Sequence, residues 1–196
     1  EKKIDIFSVA NRFSALVAAK ELLKPAGSPT NLIKKVEIPA GFEQIYDQKA
    51  FNKTVCAAGK QLKAMQNNDG GWGWFSGYYE TSRAETTAYA VHALNLAKNS
   101  GLSFDENMQK KGLEWLKAYR ATHCKKPDQV NDLAVLVNQA LTEAGMPDSE
   151  VFNLLYEHRS KLSLQALAIL AQSTSDSEEQ KMLLRNLEQF LYKNPR

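Results

Sequence analysis

The segment Leu62-Lys63-Ala64-Met65-Gln66-Asn67-Asn68-Asp69-Gly70-Gly71-Trp72-Gly73-Trp74 restricts the fold more than any other stretch of the chain. It has the pattern Leu-x-x-x-Gln-x-x-x-Gly-x-Trp: the end of a helix, a tight turn and an aromatic anchor. Leu62 and Met65, three apart, share one helical face. Asp69-Gly70 is a strong turn dipeptide, because Asp tolerates left-handed backbone and Gly reaches it freely. Gly71 and Gly73 let the backbone pass close to a neighbour. Trp72 and Trp74 supply apolar area to pin the turn. The planar amide of Gln66 can stack on an indole and bond to a helix end. A device of this kind locks stacked helical hairpins together. The alternative is an exposed aromatic platform for a ligand, with Tyr78 and Tyr79 just downstream.

The rest of the chain reads as helices. The pattern predicts them over Asp5–Leu23, with Phe13, Leu16, Val17 and Leu23 in the core, and over Gln48–Gln66. Pro25 to Pro29 breaks the first, and Thr30 to Asp47, holding Pro39 and Gly41, is expected to be an irregular connector. Three hairpins follow. Ala84–Lys98 stops at Asn99-Ser100-Gly101 and Asp105 caps a partner running to Ala121. Asp128–Ala144 closes at Gly145, with Ser149–Ser160 as partner. Ser163–Gln172 pairs with a last helix opened by a Ser175-x-x-Glu178 capping box and running to Lys193. That helix carries an apolar stripe of Leu183, Leu187, Phe190 and Leu191. The first helix of each pair is apolar on most sides and the second is charged on one face. Inner and outer layers follow, and the expected architecture is all-α: stacked hairpins in a partial or open α/α toroid. At 196 residues, one domain over 1–196 is the default.

Composition removes several function classes. The 25 Lys and Arg are scattered, in no basic run longer than two, and net charge is only +3, so nucleic-acid binding has no support. No apolar stretch is long enough to span a membrane, and no signal peptide is visible. A chain that begins at Glu1 is expected to be a processed or excised piece. Cys56, in an apolar helix, is expected to be a small buried hydrophobe, and Cys124 to lie in a polar stretch after His123. Neighbours in sequence seldom face each other on a helix, so His123 and Cys124 make no nucleophile pair. His92, His123 and His158 are too far apart to be read as a metal set. No cofactor is implied. Arg83 and Arg120 have no evident partner in the sequence.

With the turn and the two layers in hand, the chain resembles the α/α-toroid, terpenoid cyclase-like superfamily. Within it, the chain is most similar to the thioester domain of bacterial α2-macroglobulins. The resemblance rests on Gln66 to Trp74, on Thr87-Ala88-Tyr89-Ala90-Val91-His92-Ala93-Leu94, and on Lys111-Gly112-Leu113-Glu114-Trp115-Leu116. It covers residues 5–121. Such domains join a Cys and a Gln, opening the first helix, as an internal thioester that captures proteases or surfaces covalently. Asn11-Arg12-Phe13 occupies the place of the run that follows this segment. Counting back, the resemblance puts Asp5 at the Cys position and Ser8 at the Gln position, and neither can form the bond. Cys56 is followed by Ala57-Ala58-Gly59 and cannot substitute.

The resemblance therefore implies a non-enzymatic structural or interaction domain, thioester-less, from a macroglobulin-type protease-inhibitor scaffold of the periplasm or cell envelope. Its partners would be neighbouring domains of the same parent chain, proteases or envelope proteins. Two alternatives stand beside it. A carbohydrate-binding or carbohydrate-active toroid would use Trp72, Trp74, Tyr78 and Tyr79 with carboxylates from Asp69, Glu80 and Glu85. A terpene cyclase or prenyltransferase relative would need an acidic cluster, for which Asp176 to Glu179 is the nearest candidate. Glu85 also reads as an acid suiting a helix N-terminus. His92 reads as a base in a cavity or, more plainly, as a hydrogen-bonded core histidine.

Overall fold

The computed structural model describes residues 5–23, 48–75 and 80–193. The expected breaker at 25–29 and connector at 30–47 lie outside them. So do the side chains of 19–23, 48 and 190–193, among them the core candidates Leu23, Phe190 and Leu191. The described residues are all-α, with eight α-helices and two isolated β-bridges. We label the helices α1 (Ile6–Leu23), α2 (Gln48–Ala64), α3 (Ala84–Asn99), α4 (Glu106–His123), α5 (Asp132–Glu143), α6 (Ser149–Glu157), α7 (Leu164–Gln172) and α8 (Ser177–Lys193). The chain divides into two compact units, Glu1–Gly112 and Leu113–Arg196, with the boundary inside α4.

In the first unit α1 packs on both α2 and α3. Phe13 and Val17 are buried, and Leu16 is half-buried. Helix α3 is buried on most sides, from Ala84 to Ala97, including the polar Thr86, Thr87 and Asn95. Its stop is a Schellman closure: Gly101 has φ +66°, its N–H donates to the Lys98 carbonyl, and the Leu102 N–H donates to the Ala97 carbonyl. Asp105 then caps α4, accepting from the Asn107 N–H at 3.0 Å, and pairs with Lys63 of α2.

In the second unit α7 packs on both α5 and α8, and α6 packs on α5. Six of the twelve residues of α5 are buried, whereas α6 buries only Val151 and Leu155. The alternation of apolar and one-sided helices is thus present within this unit. Gly145 closes α5 with the same two bonds as Gly101, to Thr142 and from Met146 to Leu141.

Several boundaries differ from the sequence expectation. Helix α5 begins at Asp132 rather than Asp128. Pro127 forces Lys126 into extended backbone (ψ 150°), a single 3₁₀ turn spans Pro127–Gln129, and Asn131 is the true cap, accepting from the Ala134 N–H. Helix α6 ends at Glu157, and Arg159–Lys161 forms a separate 3₁₀ turn. The last helix is capped by Asp176, not by a Ser175–Glu178 box: one Asp176 carboxylate oxygen accepts from the N–H groups of Glu178 (2.8 Å) and Glu179 (3.1 Å).

The cysteines are exchanged relative to expectation. Cys56 is exposed and Cys124 is buried. Cys124 falls in phase with Leu113, Leu116 and Arg120, the buried face of α4, and burial pushes its thiol up to about 11. Arg120 is buried as well and does have partners. Its Nη1 donates to Asn138 Oδ1 (3.1 Å) and to the Met146 carbonyl (3.0 Å), and its Nε lies 3.8 Å from the Asp148 carboxylate.

Candidate functional site

The turn after α2 is built from its backbone outward. The Gly70 N–H donates to the Asn67 carbonyl and the Asn67 N–H to the Gly71 carbonyl, so the chain reverses within five residues. The Asp69 carboxylate accepts from the Gly71 N–H (3.0 Å) and from Ser82 Oγ (2.6 Å). Asn67 Nδ2 donates to the same Ser82 hydroxyl. Gln66 Nε2 donates to two carbonyls, Gly70 inside the turn and Met108 in α4, each at 2.9 Å. The amide that sequence suggested for a helix end therefore ties the turn to the first part of α4.

Trp72 is fully buried. Every polar group it carries is used: its N–H donates to Thr87 Oγ1 (3.0 Å), its carbonyl accepts from Thr86 Oγ1 and the Arg83 N–H, and its indole Nε1 donates to the Leu62 carbonyl (2.9 Å). Two consecutive threonines at the head of an apolar helix were the sequence signal for this clamp, and it went unread. Gly112 is the second unread residue. A Cβ built there would lie 2.7 Å from indole Cζ3 and 2.8 Å from Val91 Cγ2. The indole thus presses on the bare backbone of α4, closer than a side chain allows.

The other sequence candidates are placed as follows. Trp74 is half-buried, and the Phe7 ring meets it edge-on at 5.0 Å and meets Tyr89 at 4.9 Å. Tyr78 and Tyr79 lie outside the described residues. Glu85 is exposed in the first turn of α3, and His92 is half-buried two turns further on. Of the three carboxylates considered beside the aromatic residues, Asp69 holds the turn and Glu80 Oε2 accepts from the Trp74 N–H at 3.1 Å. A polar cleft of about 650 Å³ borders the turn, lined by Gln66, Asn68, Asp69, Glu80 and Ser82 among others. His123 and Cys124 face apart: His123 is exposed and stacks on Tyr119 at 4.4 Å, while Cys124 points inward.

The amino end of α1 is held against this turn. The Ile6 N–H donates to the Trp74 carbonyl (2.9 Å), and Asp5 and Phe75 form an antiparallel bridge. Asp5 is the helix cap. One carboxylate oxygen accepts from the Ser8 N–H (2.8 Å) and the other from Ser8 Oγ (2.7 Å). Positions 5 and 8 are therefore in direct side-chain contact, one turn apart. The hydrogen bonds from Ser8 hold the Asp5 carboxyl below the ordinary carboxylate range. An ionised carboxylate is not an acyl electrophile, and one held below the ordinary range is a weaker base than a free one.

Neither a protein-family model nor a curated protein matches the chain. Solved structures do. The chain superposes on native α2-macroglobulin from Escherichia coli, spanning domain MG7 to the C-terminus, with a TM-score of 0.68 and 15% identity, covering 100% of this chain and 30% of that one. Trypsin-activated α2-macroglobulin from Escherichia coli gives 0.64 and 15%, covering 98% of this chain and 13% of that one. Salmonella α2-macroglobulin reacted with methylamine gives 0.60 and 17%, covering 76% and 10%. At these identities the likeness is one of fold, and the chain spans less than a third of the proteins it matches.

Proposed function

We propose that this chain is a non-covalent interaction domain of an α2-macroglobulin-like protein, a thioester-type helical domain whose acyl-transfer pair is replaced by a helix cap. The supporting observation is the Asp5–Ser8 contact at the head of α1. A thioester requires a thiol and a carboxamide to condense with loss of ammonia. Here the two touching groups are a carboxylate and a hydroxyl, and of the two cysteines one sits in α2 and the other just past the end of α4. The domain would dock against neighbouring domains of a longer chain and contribute to protease trapping or envelope assembly without covalent capture. The fold likeness over the whole length supports that family, and the Escherichia coli proteins that share it are described as activated by trypsin and by porcine elastase.

Methylamine tests the proposal, since it opens internal thioesters by forming an amide on the acyl side. Incubation of the full chain with methylamine should give no mass gain on the intact protein. A gain that maps by peptide sequencing to residues 5–8 would overturn it.

A further inference from the structure

We propose that the exposed face of α2 is a docking ridge for an acidic protein surface. The proposal deepens the reading of the chain as an interaction domain by naming where it docks and on what.

Helix α2 carries Lys49, Lys53, Lys60 and Lys63 and contains no Asp or Glu. All four are exposed, while Phe51, Val55, Ala58 and Leu62 bury the opposite face. Steps of four, seven and three residues keep the lysines within an arc of about 80° and spread them over about 21 Å of helix axis. Lys53 and Lys60 stand two turns apart on this face, with Lys49 four residues before the first and Lys63 three residues beyond the second. Asp105 pairs with Lys63. Among the described residues no carboxylate pairs with Lys53 or Lys60 in the middle of the ridge.

The residues between the lysines decide the class of partner. The exposed ones are Asn52, Cys56 and Ala57, with Ala64 just beyond Lys63. None is aromatic, so bases have nothing to stack on. None is a large apolar group that could enter a bilayer, and four lysines alone make a weak, reversible membrane anchor. Lys53 and Lys60, point charges on flexible stems about 10 Å apart along the axis, match carboxylates at seven-residue spacing on an acidic helix. In the solved proteins that share this fold the matched segment is 10–30% of the chain, so a domain of this kind has protein neighbours to meet.

The probe is poly-L-glutamate, titrated into the full chain by calorimetry at low and at physiological salt. Two charge-reversed pairs are compared. Lys53→Glu/Lys60→Glu changes the ridge, and Lys110→Glu/Lys117→Glu changes two exposed lysines of α4, also seven apart, by the same net charge. The ridge pair should weaken binding about tenfold or more and the α4 pair by less than about twofold, with affinity falling as salt rises. Lys53→Gln/Lys60→Gln, which adds no repulsion, should lose affinity in the same direction and guards against misfolding of the Glu variant. Bound probe should also slow the reaction of the Cys56 thiol, which lies between Lys53 and Lys60, with a thiol-specific reagent. Equal losses in the two charge-reversed pairs, or binding to phosphatidylglycerol vesicles with none to poly-L-glutamate, would overturn the proposal. A methylamine adduct would remove the inert-pair reading and leave the ridge standing; loss of the ridge leaves that reading intact.

Discussion

Gly112 and Trp72 should be coupled in a way that a double-mutant cycle can measure. Replacing a helix-interior glycine by alanine normally gains about 1 kcal/mol. At position 112 the new methyl would sit 2.7 Å from the indole and 2.8 Å from Val91, where carbon atoms prefer about 3.5–4.0 Å. Neither neighbour can retreat. Trp72 and Val91 are both fully buried, and the indole is held by its bond to the Leu62 carbonyl. Overpacking of this kind costs about 1–3 kcal/mol, so Gly112→Ala should lose up to about 2 kcal/mol net. Trp72→Phe removes the colliding edge of the ring together with the Nε1 donor and should lose about 2–3 kcal/mol by itself. In the Phe background the methyl has room, and Gly112→Ala should become neutral or gain up to about 1 kcal/mol. The coupling is then about 2 kcal/mol, well outside the scatter of about 0.5 kcal/mol seen for independent sites. Urea unfolding followed by far-ultraviolet circular dichroism measures all four corners without relying on Trp72 fluorescence. Simple addition of the two losses would refute the packing account of the motif.

Two further outcomes follow from the helix ends and the thiols. Asp176 is held below the ordinary carboxylate range by the N–H groups of Glu179 and Glu178, so its contribution is present above about pH 4, its unfolded value, and is lost as pH falls through the folded value. Asp176→Asn keeps a capping oxygen but cannot titrate. It should leave neutral-pH stability nearly unchanged and flatten the acid limb of a stability-against-pH curve; a limb as steep as that of the parent would contradict the assignment. In the native protein at neutral pH a thiol reagent should modify Cys56 quickly and Cys124 only on unfolding, because Cys124 is buried with its thiol pushed up to about 11. Equal rates at the two cysteines would show that the burial of this face of α4 is wrong.

What could be foreseen from the chain was mostly local. The stops at Gly101 and Gly145 were legible because a Schellman closure is written in a few adjacent residues. The Gln-to-Trp turn was legible as a packing device because its residue types have few other uses together. Errors came where two local signals competed. The helix was expected to open at Asp128, but Pro127 fixes a 3₁₀ turn and the cap falls to Asn131. Ser175 lost to the adjacent Asp176, whose carboxylate reaches two N–H groups. Cys56 has apolar neighbours in sequence, but by phase it repeats with Lys49, Lys53 and Lys60, on the wet side of α2. The partners of Arg120, Thr87 and Gly112 are 15 to 40 residues away along the chain, and no short-range pattern reports such pairings. The sequence placed Asp5 and Ser8 by resemblance alone; their contact as the cap of α1 depends on the backbone turn that brings them together.

The hold of the turn on α4 also fixes what lengths of chain can be tolerated there. Gln66 grips the Met108 carbonyl, and the indole meets the backbone one turn later at Gly112. A single residue inserted between those two points would swing everything beyond it by about 100° and carry Lys111 into the slot against the ring. A single deletion would bring Leu113 there instead. The stretch from Gly101 to Asp105, outside both grips, is free of that constraint. Length variation among chains built this way should therefore collect before residue 106 and avoid the four-residue gauge that follows.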